Sequence, residues 1–530
     1  MEITKLPFSK IPQLSKRDIA YVDENPLLDP FYKYPVRIEN FETIIHSKQK
    51  ENIDRNLLVD VLNEQYEKFE QSEQVNKNIQ SLASENTFTV ITAHQPSLFT
   101  GPLYYIYKII STINLSKALN AYYPYFQFVP VFVTGGEDHD FEEVNHVNIF
   151  NKKLVWENDE KGAVGMMKTN SLQKVIGELK EVLGDSEKGQ KIYAEIEDCY
   201  TKHEIYTDAV IDLIHRFFKD DGLLVFDMNH AKLKRSFIPY IKEEIIKQPS
   251  RVLVEQTAEM LNEVGFKQQA TAREINFFYL DEQIRERIVF ENDTFKVLNT
   301  ELTFSTEEME EEIETHPGHF SPNVIMRPIY QESILPNLAY IGGGGEIAYW
   351  IERKSQFEHF KVNFPMLIRR DSVLWIDKAV SKKMEKLNLS VEAIFEDTEV
   401  LIKQFVKKNA QGDLNLNSQK EEFNKVFESM KVVAQPIDAS LLNKIDAEKT
   451  QLKNKIEKLE ARLIKAEKQK HEVEINQIRA LKGKLFPGNG LQERHDNLIS
   501  FYFKYGDDFI KILKENLNPL DRKFVVIRDN

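Results

Sequence analysis

Residues 88–92 read FTVIT and residues 126–133 read FQFVPVFV, and these two short runs decide the fold. Both are rich in β-branched or aromatic residues and are bounded by Gly and Pro signals, as buried strands are. The intervening residues 103–119 carry isoleucines at helical spacing, at positions 106, 109, 110 and 113. The order strand, helix, strand predicts the beginning of a parallel sheet.

The same alternation continues along the chain. Residues 222–227 (GLLVFD) predict a third strand, and residues 232–246 predict a further helix. Strands predicted at 275–280 and 295–298 make residues 270–305 a β-rich insertion. The predicted fold class is therefore α/β, with a Rossmann-like parallel-sheet core over residues 1–375 that carries connecting insertions at about 155–220 and 250–320.

Residues 376–482 are predicted to form a helical and coiled-coil domain, after which residues 483–530 return to the core. The heptad d positions are all apolar: Ile445, Leu452, Leu459, Ala466, Val473 and Ala480. A single helix over 442–480 would extend about 60 Å and needs a partner helix. That partner comes from residues 376–435 or from a second subunit.

Composition excludes several classes of function. The 530 residues contain 70 Lys and Arg against 84 Asp and Glu, a net charge of −14 that argues against nucleic acid or an anionic membrane as partner. The longest uncharged stretch, residues 86–107, contains Pro96, Gly101 and Pro102 and does not predict a membrane span. No signal-peptide pattern follows Met1, so a cytoplasmic protein is expected. The lone Cys199 excludes an internal disulfide, and no metal site is expected.

Ligands of open α/β sheets gather beyond the carboxyl ends of strands, so the loop after the first strand is a candidate site. Thr100 is a predicted N-cap, and Gly101 would let a phosphate approach the start of the helix. A turn around a buried polar histidine is the alternative. The candidate nucleotide-binding residues of this region are His94, Gln95, Thr100, Gly101, Pro102 and Lys108.

The loop after the second strand is dense in ionisable groups. Four carboxylates and one histidine occur within residues 137–142, where mutual repulsion favours a cation, a proton or hydrogen-bond donors nearby. Its candidate catalytic residues are Glu137, Asp138, His139 and Asp140. The alternatives are a solvated helix start near Phe141 and a zinc site that includes His139 and His146.

Two later segments add candidates. Residues 342–345 are four consecutive glycines that open a helix, and Gly343 and Gly344 are predicted to approach a nucleotide closely. Arginines can bind carboxylates or phosphates in a bidentate way, although a structural ion pair remains an alternative for each. The candidate substrate-binding residues are Arg327, Glu346, Tyr349, Arg369 and Arg370.

Five ordered motifs resemble those of one known family. They are residues 98–104 (LFTGPLY), 136–143 (GEDHDFEE), 321–324 (SPNV) with Arg327-Pro328, 342–348, and Phe486-Pro487 with 491–494 (LQER). Together they resemble the bacillithiol biosynthesis family BshC, the cysteine ligases. The resemblance implies a Rossmann-like core related to nucleotidyltransferases and class I aminoacyl-tRNA synthetases, with connecting insertions and a coiled-coil domain that makes a homodimer.

The resemblance also implies a reaction, the addition of L-cysteine to the amine of glucosaminyl-malate to give bacillithiol. Joining a carboxylate to an amine needs an activated acyl group, so ATP is the expected co-substrate, through an acyl-adenylate, and Mg²⁺ can accompany it. His94 or Lys108 would offset developing charge, and Arg327 or Arg370 would hold the malate carboxylates. Two other functions stay open: a coiled-coil scaffold that does not ligate, and a nucleotide-dependent transferase with another small acceptor.

Overall fold

The structure is a computed structural model and describes residues 1–410 and 416–529. The chain divides into two units. The larger unit comprises residues 5–374 and 491–525, and the smaller one comprises residues 1–4, the segment from Trp375 to Gly490, and the chain from Val526.

Fifteen strands lie in the described residues. They are β1 (Glu2–Pro7), β2 (Thr87–His94), β3 (Gln127–Thr134), β4 (His146–Ile149), β5 (Lys152–Val155), β6 (Leu224–Asp227), β7 (Phe277–Asp281), β8 (Ile284–Glu291), β9 (Thr294–Val297), β10 (Thr303–Phe304), β11 (Phe320–Pro322), β12 (Asn337–Gly342), β13 (Met366–Arg369), β14 (Ser372–Ile376) and β15 (Lys523–Arg528).

The helices of the larger unit are α1 (Lys16–Val22), α2 (Phe41–Lys48), α3 (Arg55–Tyr66), α4 (Glu73–Ser81), α5 (Tyr104–Tyr122), α6 (Phe141–Val144), α7 (Gln173–Leu183), α8 (Glu187–Lys202), α9 (Tyr206–Phe218), α10 (Ala231–Ser236), α11 (Ile238–Lys242), α12 (Pro249–Glu263), α13 (Thr306–Thr315), α14 (Arg327–Ile334), α15 (Gly344–Trp350) and α16 (Lys354–Phe360). The smaller unit contains α17 (Lys378–Lys386), α18 (Thr398–Asn409), α19 (Asn417–Ala434), α20 (Leu441–Lys470) and α21 (Glu472–Leu485). The helices α22 (Leu498–Tyr505) and α23 (Asp507–Asn516) complete the larger unit. Among these helices none has the length and apolar character that a membrane crossing needs.

The predicted parallel sheet is confirmed. Five strands pair in the order β13-β12-β2-β3-β6, and every neighbouring pair is parallel. Strand β2 is buried along nearly its whole length, as expected of a parallel strand that is covered on both faces. In the registers of the sheet, His94 pairs with Thr134 and Thr134 with Asp227, while Gly342 pairs with Arg369. The carboxyl ends of all five strands therefore lie along one edge of the sheet.

The β-rich insertion is also confirmed, as an antiparallel sheet of order β10-β9-β8-β7-β11. The helical segment predicted over 232–246 is confirmed, but it is not one continuous helix. It divides into α10, α11 and a π-helical turn, Glu243–Lys247. Pro239 lies in the first turn of α11, where its missing N–H costs nothing, whereas inside a longer helix it would remove a hydrogen bond.

In the smaller unit, α19 supplies the partner helix that the heptads of α20 require. The two helices run antiparallel, because Lys420 pairs with Glu460 (2.6 Å) near one end and Lys431 pairs with Asp446 (2.5 Å) near the other. Apolar side chains of α20 nevertheless stay exposed, with Leu459 at 53% and Leu463 at 45%.

The single helix predicted over 442–480 is wrong. Helix α20 ends at Lys470, and His471 leaves helical geometry (φ −108°, ψ 25°) before α21 begins. The break changes the buried face: Ile475 and Ile478 pack against α18, whereas the predicted seam residue Val473 is 66% exposed. The heptad phase therefore ends at the break.

Candidate functional site

A cavity of about 430 Å³ lies beyond the carboxyl ends of the parallel strands. This is where ligands of open α/β sheets bind, and the volume is in the range of small-molecule sites. Its acidic lining residues are Glu137, Asp138, Glu143, Asp227 and Glu346. Its arginines are Arg285, Arg327, Arg370 and Arg494.

The loop after β3 contributes Glu137 and Asp138 to the cavity, as predicted. The buried Lys234 forms an ion pair with Glu137. Asp138 lies 3.5 Å from the Arg285 guanidinium. Burial alone would raise the pKa of Asp138, but Arg285 and a hydrogen bond from Gln95 lower it overall. Each of the two carboxylates therefore has a cationic neighbour.

His139 and Asp140, the other two catalytic candidates, do not line the cavity. The Arg285 guanidinium donates to Nδ1 of His139, and Asp140 is exposed just before α6. This half of the loop matches the alternative of a solvated helix start. Among the described residues, His139 and His146 belong to no group of three possible metal ligands.

The loop after β2 contributes His94 and Gln95. The imidazole Nε2 of His94 lies 3.0 Å from the Tyr104 hydroxyl. Burial, together with the charge of Lys108, lowers the pKa of His94 to about 4. His94 is therefore neutral at pH 7, and any contact that it makes with a ligand is a hydrogen bond rather than an ion pair.

Thr100, Gly101 and Pro102 lie outside the cavity lining. Thr100 is not the N-cap, because α5 begins only after Leu103. The Asn497 side chain donates to the carbonyl of Gly101 (2.6 Å), which fixes this turn from the C-terminal segment. Gly101 has φ +59°, so the left-handed backbone explains this glycine without a bound phosphate.

Lys108 and Glu346 form a buried ion pair with N···O 2.7 Å. Glu346 also accepts hydrogen bonds from the Tyr340 hydroxyl (2.6 Å) and from the Gly343 N–H (2.9 Å). Burial alone would raise the pKa of Glu346, but these partners, Lys108 above all, hold it at about 2. Glu346 therefore lines the cavity as an anion, and Lys108 is behind it rather than in the lining.

The two adjacent arginines after β13 have different surroundings. Arg369 is buried against Asp18 (2.9 Å) and does not line the cavity, so it is a structural ion pair rather than a substrate contact. Arg370 lines the cavity and pairs with the buried Glu493 (2.7 Å), while its Nε has no hydrogen-bond partner.

Arg327, at the start of α14, has only neutral hydrogen-bond partners, and Glu346 is the carboxylate that acts on it at longer range. Its guanidinium donates to the Tyr349 hydroxyl (2.8 Å) and to the side chain of Gln331 (3.2 Å). Within the described residues no carboxylate lies within 4 Å of it. Arg327 and Tyr349 both line the cavity, so this arginine can receive an anionic group of a ligand.

The four consecutive glycines, residues 342–345, do not all line the cavity. Gly343 and Gly345 line the cavity, but Gly344 does not. A Cβ on Gly344 would lie 2.3 Å from the Asp18 carboxylate, so this glycine is required by packing against α1.

Sequence reasoning missed Asp227, Arg285 and Arg494 as lining residues. Asp227 ends the third predicted strand, so the rule applied to the first two strands could have found it. Arg285 lies on an antiparallel strand of the insertion, where no local pattern marks it. Arg494 is part of a family motif in the C-terminal segment that is predicted to return to the core, but no local pattern marks its side chain as a lining residue.

The fold and site define a Rossmann-like α/β protein with a small-molecule cavity of mixed charge and a helical coiled-coil unit. The family model for the N-terminal Rossmann-like domain of bacillithiol biosynthesis BshC matches residues 1–371, and the model for the C-terminal coiled-coil domain of the same family matches residues 373–528. The chain therefore belongs to the bacillithiol biosynthesis family BshC.

Three curated relatives are similar over almost their whole length, and each is named "Putative cysteine ligase BshC". The protein of Flavobacterium psychrophilum is 41% identical, with 99% of both chains covered. That of Flavobacterium johnsoniae is 42% identical over 98% of this chain and 97% of its own. That of Christiangramia forsetii is 40% identical over 96% of both.

The neighbouring glycines of α15 provide a matched test of packing. We expect Gly344→Ala to lower the melting temperature, because the new Cβ must displace Asp18 from its buried pair with Arg369, at a cost of at least about 1–3 kcal/mol. Gly345→Ala has open space around it and should leave the melting temperature unchanged or raise it slightly. Differential scanning calorimetry of both variants distinguishes them, and equal melting temperatures would contradict the packing argument.

Proposed function

We propose that this chain is a cytoplasmic ligase that adds L-cysteine to the amine of glucosaminyl-malate, with ATP as co-substrate. Family membership and the printed names of the relatives support a cysteine ligase. A cavity whose lining carries both carboxylates and arginines suits substrates that carry both amines and carboxylates. The alternative of a non-ligating scaffold gives no reason for charged groups to converge at the strand ends.

Arg327 is the observation that carries the choice of acceptor. A buried or half-buried guanidinium without an anionic partner is costly, and a ligand carboxylate would supply that partner in a bidentate way. We assign Arg327 and Arg494, which both line the cavity, to the malate carboxylates. Arg370 contributes its unpartnered Nε while Glu493 holds the rest of its guanidinium.

Asp227 is the proposed general base. Burial and the nearby Glu137 raise the pKa of its carboxyl to about 6, and within the described residues no cation lies within 4 Å of it. A carboxylate with this pKa is mostly ionised at neutral pH and basic enough to accept a proton from a reacting ammonium group. Asp138, whose pKa is lowered, is the better electrostatic partner for a substrate amine.

ATP is required because a free carboxylate is a poor acyl donor. In the proposed route, a carboxylate oxygen of cysteine attacks the α-phosphorus of ATP and displaces pyrophosphate. The acceptor amine then attacks the carbonyl carbon, loses a proton to Asp227 and releases AMP. His94, Gln95 and Gly343 are the predicted nucleotide contacts that line the cavity, and its carboxylates offer the oxygen donors that Mg²⁺ prefers.

We further propose a homodimer through α20. The exposed Leu459 and Leu463 occupy d and a positions of the heptad, and the intramolecular partner α19 leaves them uncovered. A second copy of the same helix would bury them.

Mass spectrometry of the purified chain with cysteine, glucosaminyl-malate and each nucleoside triphosphate tests the reaction. We expect an amide product together with AMP and pyrophosphate when ATP is present. Formation of ADP and phosphate instead would indicate an acyl phosphate intermediate rather than an acyl-adenylate. The absence of an amide product with every nucleotide would contradict the proposed ligase activity.

In the same assay Arg327→Gln should raise KM for glucosaminyl-malate about 10- to 100-fold, the loss of one charge-assisted contact. An acceptor without the malate group should show no such difference between wild type and variant.

The pH profile tests Asp227. Below about pH 6 its carboxylate takes up a proton, so kcat/KM should fall about tenfold per pH unit on the acid side. Asp227→Asn should lower kcat about 10²- to 10⁴-fold and remove that acid limb. Glu143→Gln is the control variant and should keep the acid limb. It is a suitable control because Glu143 also lines the cavity and its carboxyl also has a raised pKa. An acid limb that persists in Asp227→Asn would assign it to another group.

Light scattering tests the dimer. Leu459→Glu with Leu463→Glu places charges in the proposed seam and should yield monomers without loss of helicity, because both side chains are largely exposed within one chain. Asn454→Glu with Ala461→Glu alters two exposed f positions of the same helix and should leave the dimer intact. Dimers in the first variant would exclude this seam.

A further inference from the structure

Three possible metal ligands converge at the end of α13, on the insertion and outside the cavity lining. Glu312 and His316 are four residues apart, so the helix places them on one face, and His319 follows through the turn at Pro317 and Gly318. The Glu312 carboxylate lies 3.1 Å from Nδ1 of His316 and 2.6 Å from Nδ1 of His319. One donor atom from each residue lies within 4.8 Å of the other two.

The donor set selects the kind of ion. Two imidazoles and one carboxylate suit zinc and similar transition metals, whereas Mg²⁺ and Ca²⁺ prefer oxygen ligands throughout. Around a tetrahedral zinc ion with bonds of roughly 2.0–2.1 Å, neighbouring donors are about 3.3 Å apart. The pair formed by Glu312 and His316 is already close to that spacing, and the 2.6 Å between Glu312 and His319 would lengthen by about 0.7 Å.

The surroundings hold these ligands in place. The Tyr279 hydroxyl, from β7, donates to Glu312 (2.8 Å) and lies 2.9 Å from Nδ1 of His319. The two imidazole rings are stacked, with centroids 5.1 Å apart and planes 8° apart. The bond from Tyr279 to Glu312 is an outer contact of the kind that orients metal ligands, whereas Nδ1 of His319 would exchange the hydroxyl for the ion.

The electrostatic setting also favours a cation. Six of the ten residues of α13 are glutamates, and the cluster lies at the negative end of the helix dipole. Glu310 and Glu314 are near Lys242, but no lysine or arginine of the described residues lies within 4 Å of Glu312.

We propose that Glu312, His316 and His319 bind one divalent transition-metal ion of the zinc class, with water completing its coordination. The ion has a structural role, because the turn that it fixes supports the cavity. Gly318 accepts a hydrogen bond from Lys234 (3.3 Å), the partner of Glu137, and His319 directly precedes β11, whose Pro322 lines the cavity. This site stands independently of the proposed ligase reaction.

Cobalt and zinc binding to the full-length, untagged and EDTA-treated chain tests the proposal. We expect one Co²⁺ per chain, with the visible absorption of a four-coordinate ion, displaced by one equivalent of Zn²⁺ in calorimetry. His316→Ala and His319→Ala should each weaken binding by more than about tenfold, and Tyr279→Phe by about tenfold. Zn²⁺ should raise the melting temperature of the wild type but not of the histidine variants.

His359→Ala is the matched control. His359 pairs with one carboxylate, Glu243 (3.2 Å), but belongs to no group of three possible ligands in the part of the chain that the structure describes. This variant should bind Co²⁺ and Zn²⁺ as the wild type does. His316 is 56% exposed, so its alanine variant should fold even if His319→Ala does not. Wild-type affinity in His316→Ala, or an equal loss in the control, would overturn the site.

Discussion

Charge buried beside the ends of the parallel strands is the constraint on which the site depends. Three ion pairs, Glu346 with Lys108, Arg369 with Asp18 and Arg370 with Glu493, place six acidic or basic side chains where water cannot solvate them well. Removing one partner from a buried pair typically costs about 3–5 kcal/mol, because the other charge is left uncompensated. The pairs involving Asp18 and Glu493 also explain why segments from the two ends of the larger unit return to the same sheet edge. The walls of the cavity are thus fixed by electrostatic pairing as much as by apolar packing.

The course of the sheet could be predicted from the sequence because it depends on local patterns. Apolar runs, helical spacing and Gly or Pro boundaries lie within a few residues of one another, and β2, α5, β3 and β6 follow from them. The loops beyond β2 and β3 could likewise be placed at the strand ends. Pairing partners could not be predicted, since Asp18 and Arg369 are 351 residues apart and nothing local marks either as the partner of the other. For the same reason Arg369 and Arg370 look alike in sequence and differ in the structure.

Two sequence-based predictions differ from the structure for the same reason. The turn at Gly101 has the residues of a phosphate-binding helix start, but the Gly101 N–H already donates to the Leu98 carbonyl, and Asn497 from the C-terminal segment holds the turn through the Gly101 carbonyl. The heptads of residues 442–480 correctly predict helical structure, but the break at His471 changes which face is buried, and α18 rather than α19 then covers α21. In both cases a distant segment decides the role of a locally correct pattern. Periodicity and turn chemistry report what a segment can do, and tertiary contacts select among those possibilities.

The pairing pattern also separates charged groups that maintain the cavity from those that remain for a ligand. Glu137, Glu346 and Arg370 each have an oppositely charged partner within the protein, so a ligand that bound them would have to compete with that partner. Arg327 and Asp227 have neutral hydrogen-bond partners and opposite charge, so a ligand with a carboxylate and an ammonium group could satisfy both. A purely structural role would leave both charges with only neutral hydrogen-bond partners, which stabilise a charged group less than an oppositely charged partner does. A ligand that carries both a negative and a positive group would pair with Arg327 and Asp227, which explains why both are present in a cavity of this size.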